Sequence, residues 1–241
     1  MTRPIALCLL GLLFAGTGGP VLAQGTAEFT TRCFSNLNPD QLIQACTALI
    51  DAGLVNRNDM ATAFKNRGNA FDDKGEFARA IQDYDHAIAI NPKDADALND
   101  RGTSQRARGE YELAIKDYDD AIALDMHNGM ILNNRCAARA LVGRLDEALS
   151  DCNASLKVLP NNHGTLASRG LTYLKMKRYA EAIADYDAEL LLNPGNSYTL
   201  FGRGVAKRMN GDAAGGDKDI EAAKLRKTDI VETMTKIGVT L

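Results

Sequence analysis

Apolar and small residues recur along this chain at a spacing of 34. Ala80, Ala114, Ala148 and Ala182 fall in one column, closed by Gly216. Gly68, Gly102, Gly170 and Gly204 form a second, with Cys136 in the remaining slot, and Tyr84, Tyr118 and Tyr186 a third, with Cys152 and Ile220. Within one unit, Phe64, Gly68 and Phe71 are followed by Ala80, Tyr84 and Ala87, all three or four residues apart, which is a helical period. Gly75, Gly109, Gly143 and Gly211 interrupt each unit where a left-handed residue can end a helix. Pro92, Pro160 and Pro194 then mark the exit. The pattern predicts two antiparallel helices per unit, A and B, with no strand anywhere.

A 34-residue helix-turn-helix unit, here FKNRGNAFDDKGEFARAIQDYDHAIAINP from Phe64 to Pro92, resembles the tetratricopeptide repeat (TPR). The resemblance implies an all-α fold, an α-solenoid in which units stack into a right-handed superhelix with a concave side. The units are 61–94, 95–128, 129–162, 163–196 and a degraded 197–230. Residues 24–60 carry a half-unit helix, and 231–241 look like a C-terminal cap, with Met234 and Ile237 at helical spacing. TPR modules bind other proteins or peptides, so the implied function is non-catalytic binding rather than chemistry.

Polar columns follow the same period. Arg67, Arg101, Arg135, Arg169 and Arg203 each stand 16 residues before Asp83, Asp117, Asp151, Asp185 and Asp219. On antiparallel helices that spacing brings each pair to one side of the hairpin, predicting an ion-pair ladder instead of an anion site. Cys136 and Cys152 replace the Gly and Tyr that face each other in sister units, so a bond between them is expected. Cys33 and Cys46 then pair by elimination.

Composition narrows the partners. The net charge is −3, with 45% apolar and 24% charged residues, and lacks the basic balance that nucleic-acid binding uses. Arg3, the apolar run 5–14 and Val21-Leu22-Ala23 read as a signal peptide over residues 1–23, cleaved before Gln24. The apolar run is too short to span a bilayer. Removing the leader leaves four cysteines, an even number that suits an oxidising compartment, so a periplasmic or secreted protein with two disulfides is expected.

TPR ligands lie against the inner faces of the A helices. The resemblance places a peptide groove on Lys65, Asn66, Asn69, Asn99, Thr103, Arg106, Asn133, Asn134, Leu171, Leu174, Tyr198 and Phe201, grading from polar to apolar. Two outcomes are open at the apolar end: it takes a greasy partner segment, or the C-terminal tail covers it, Ile230, Met234 and Ile237 packing on Phe201 and Val205. A carboxylate clamp is excluded, because Asp100, Met130 and Asn134 stand where the clamp needs Asn, Lys and Arg. An asparagine ladder holding a peptide backbone would run through Asn66, Asp100, Asn134, Ser168 and Gly202. His86, His127 and His163 do not cluster, and no catalytic, metal or cofactor site is expected. Self-association through the apolar groove end is the first rival reading, and a small-molecule-binding or enzymatic protein the second.

Overall fold

The computed structural model describes residues 28–241. The expected signal peptide, 1–23, lies outside them. Helical turns at 28–33 lead into α1 (Pro39–Ala52), and five hairpins follow. These are α2 (Arg57–Asp73) with α3 (Phe77–Ile90), α4 (Ala95–Ala107) with α5 (Tyr111–Leu124), and α6 (Gly129–Leu141) with α7 (Leu145–Val158). Then come α8 (His163–Lys175) with α9 (Tyr179–Leu192), and α10 (Ser197–Met209) with α11 (Ala213–Arg226). A short α12 (Ile230–Lys236) ends the chain. The described residues contain no strand.

Each hairpin closes for a local reason. In the first, Gly75 takes φ 73° and the Glu76 N–H donates back to the Phe71 carbonyl at 2.8 Å, so helix A ends in a left-handed cap. Gly109, Gly143 and Gly211 repeat that positive φ, and in the fourth hairpin Lys177 adopts it at 61°. The A helices of the second to fifth hairpins start on Asp94, Asn128, Asn162 and Asn196, whose side chains accept from N–H groups of the first turn. These caps also repeat every 34 residues, a column that the apolar pattern does not reveal.

The core is one close approach repeated. A Cβ added at Gly68, Gly102 or Gly170 would sit within 2.8 Å of the ring of Tyr84, Tyr118 or Tyr186 respectively. Only glycine lets the tyrosine lie flat against the facing backbone. Cys136 and Cys152 occupy that pair of positions in the third hairpin and are joined, with Cα atoms 5.4 Å apart. Cys33 and Cys46 are joined likewise, Cα atoms 4.7 Å apart, tying the turns at 28–33 to α1.

Stacking is asymmetric. Every A helix touches the A helix of the next hairpin, whereas among the described residues no B helix touches the next B helix. The solenoid therefore curves toward its A helices, and their free faces form the inner surface. All five Arg–Asp pairs form, and each arginine also reaches the preceding helix B: Arg101 Nη1 meets Asp85 at 2.7 Å, and Arg169 Nη1 meets Asn153 at 2.9 Å. The ladder binds hairpin to hairpin and stays off the inner surface.

Candidate peptide-binding face

The inner surface begins polar because its A helices carry amides and carboxylates, and those groups hold one another in place. Lys65 Nζ lies 2.9 Å from Asp94, across the junction of the first two hairpins. Asn66 donates to the Cys33 carbonyl at 3.0 Å, and Asn134 to Asn99 Oδ1 at 2.9 Å, so these amides tie neighbouring helices together. Asn99 in turn donates to Asp100 at 3.1 Å. Asn69 accepts from the Tyr84 hydroxyl at 2.7 Å, and Thr103 Oγ1 shares a hydrogen with the Tyr118 hydroxyl at 3.2 Å. The Ser168 hydroxyl donates to its own helix, at the Gly164 carbonyl. The asparagine column is thus engaged within the chain.

Carboxylates set the electrostatics of this end. Asp72 accepts from Ser104 Oγ and the Tyr84 hydroxyl, yet burial holds its pKa above the ordinary range. Burial pushes Asp100 up to about 6, helped by nearby Asp96 and Asp72 and opposed by the Asn99 hydrogen bond and Lys65. Among the described residues Arg106 forms no ion pair, and its Nε is buried without an acceptor. The Asp100 carboxyl thus changes charge near neutral pH, on the floor of the face.

At the other end the tail covers part of the apolar surface. Ile230 and Met234 are buried in one cluster with Phe201, Val205 and Leu174. Phe201 is 0% exposed and Leu174 7%, so neither is a groove residue: helix α12 removes both from solvent. Asn133, 9% exposed, also sits too deep to meet a partner directly. Leu171 stays half-buried, and Tyr198, 47% exposed, stands open beside it. Exposed Asn69, Asp73, Asp96, Met130 and Tyr198 mark the accessible face, with half-buried Asn99, Thr103 and Arg106 between them. Among the described residues no group of three or more His, Cys, Asp or Glu side chains is placed to hold a metal ion, and no helix is long and apolar enough to cross a membrane.

A solenoid of glycine–tyrosine hairpins stacked on their A helices is the tetratricopeptide architecture. The tetratricopeptide repeat family model matches residues 65–129 and 168–216, and those segments resemble tetratricopeptide repeats. No curated protein sequence matches it. Among solved structures, a TPR protein from Parabacteroides merdae is similar over 90% of this chain and 86% of its own, at 16% identity and TM-score 0.68. MamA from Desulfovibrio magneticus RS-1 is similar over 70% of this chain and 96% of its own, at 15% identity and TM-score 0.59. YrrB, described as a TPR protein with an unusual peptide-binding site, is similar over 78% of this chain and 94% of its own, at 19% identity and TM-score 0.57. At these identities the likeness is one of fold.

Proposed function

We propose that this chain is a non-catalytic scaffold that holds a protein or peptide segment against its A-helix face, outside the cytoplasm. The observation that carries the reading is the one-sided stacking: A helices meet along the whole solenoid and leave one continuous surface from Asn69 to Tyr198. A side chain on that surface can be matched by a partner lying along it, unit by unit. YrrB, of the same fold, is described by its peptide-binding site, and this adds weight by analogy only.

Two disulfides favour an oxidising compartment, where such bonds persist. With the leader-like residues 1–23, they support export, and the reading is then of an adaptor or assembly factor for envelope or secreted proteins.

The test is a peptide array probed with the full chain and with Asp96→Asn, Met130→Ala and Tyr198→Ala, three exposed substitutions. Selected peptides should bind the wild type and lose at least tenfold in affinity to one or more variants whose helical circular dichroism is unchanged. Peptides that bind all four proteins equally would place binding elsewhere.

A further inference from the structure

A cleft of about 160 Å³ lies on the inner face between α8, α10 and the C-terminal tail. Ala167, Leu171, Met234 and Ile237 supply its apolar wall, and it is partly open to solvent. Tyr186 also lines it, and its surroundings differ from those of its sister tyrosines. The Tyr84 hydroxyl bonds Asn69 and Asp72, and the Tyr118 hydroxyl bonds Thr103. At the same places in the fourth unit the sequence has Leu171 and Leu174, and Gly202 stands where Asp100 and Asn134 do.

Tyr186 is 3% exposed, and its hydroxyl makes no hydrogen bond among the described residues. Gly170 on one side and Gly202 on the other hold its ring rigid: a Cβ at either would sit within 2.8 Å of it. Burial pushes its pKa far up, so the group remains a donor. The Thr199 hydroxyl, 1% exposed and at the same cleft, has no partner either.

We infer that this cleft is a side-chain subsite for a bound peptide: it takes one leucine-sized apolar side chain, while the Tyr186 hydroxyl donates to a carbonyl of that peptide's backbone. The volume suits such a group, since an apolar cavity of about 150 Å³ holds a benzene ring. Its opening to solvent suits a group that stays attached to a chain, and exposed Tyr198 also lines it. The polar first hairpins would meet the rest of the segment. This assignment rests on the peptide-binding reading above and adds a specificity to it.

The cleft can be examined without the natural partner. The probe is N-acetyl-leucine-N-methylamide, titrated into the full chain carrying methyl-labelled Leu, Ile and Met, with N-acetyl-alanine-N-methylamide as comparison. The leucine probe should shift the Leu171, Met234 and Ile237 methyls saturably, and the alanine probe at least tenfold less tightly. Tyr186→Phe should weaken the leucine probe about threefold to tenfold, the range for one hydrogen bond. Ser168→Leu, which fills the cleft from its half-buried edge, should abolish saturation and serves if Tyr186→Phe does not fold. Unsaturable shifts, equal affinity for both probes, or undiminished binding by a folded variant would each overturn the assignment. In that event peptides selected on the array through Met130 or Asp96 would leave the broader reading standing; a responsive cleft with no array peptide would do the reverse.

Discussion

Arg101 holds Asp117 of its own hairpin through Nε and Nη2, both at 2.7 Å, and with Nη1 reaches Asp85 on the preceding helix B, also at 2.7 Å. One guanidinium thus closes a hairpin and docks it on its neighbour, using the planar fork that lysine lacks. Asp117 is nearly buried, so removing Arg101 leaves a carboxylate without its counter-charge. Arg101→Ala should cost about 3 kcal/mol, read as faster hydrogen exchange in α3 to α5. Arg101→Ala with Asp117→Ala should recover part of that loss. A double-variant loss equal to the sum of the Arg101→Ala and Asp117→Ala losses would show that the two residues act independently.

Asp100 makes stability depend on pH in a defined direction. Its carboxyl rises from 3.8 to about 6 in the fold, so the folded chain binds the proton more tightly than the unfolded chain. The stabilisation from that proton is complete below pH about 4 and is lost as pH rises through about 6, an effect of up to about 3 kcal/mol. Asp100→Asn should therefore be more stable than wild type above pH 7, with the difference shrinking toward pH 4. Urea denaturation at several pH values checks this, and parallel profiles for the two proteins would contradict it.

The Cys136–Cys152 bond replaces a glycine–tyrosine contact, so restoring that contact should substitute for it. Breaking the bond through Cys136→Ser and Cys152→Ser should cost about 3 kcal/mol, the chain-entropy value for a loop of this size. Cys136→Gly with Cys152→Tyr should cost less than the serine pair and should no longer respond to reductant. Cys152→Tyr alone should be the worst, because the Cys136 Cβ stands where the ring must lie. Thermal unfolding with and without reductant orders the variants.

Lys177 bears the cost of a left-handed backbone, at φ 61°, where four sister units use glycine. Lys177→Gly should raise stability by about 1 kcal/mol, measured from the denaturation midpoint. An unchanged or lower midpoint would mean that the lysine side chain contributes enough to offset the strain.

Much of this architecture is legible in the residues because every hairpin repeats the same contact. Gly68 against Tyr84, Arg67 with Asp83 and the two cysteine pairs all follow from comparing one unit with the next. The binding face is less legible, because helical spacing tells which side of α8 or α10 a residue occupies but not what lies over it. Phe201 and Leu174 share the inner side with Tyr198, and only the path of α12 decides that they are covered. Asn66 and Asn134 likewise sit in a plausible ladder, yet their amides are engaged by Cys33 and Asn99, contacts that depend on the angle between units. The lone hydroxyl of Tyr186 was readable in principle, since Leu171 and Leu174 fill the columns of Asn69 and Asp72.

If the A-helix face holds the partner, contact should map to one side of the solenoid. A photocrosslinking residue placed singly at Asp96, Met130 or Tyr198, and at Gln82, Lys116 or Ala184 on exposed positions of the B helices, tests this in the native cells. The account predicts discrete adducts, shared among the first three positions and absent from the second three. Adducts confined to the B-helix positions would contradict it and move the working surface to the outside of the solenoid.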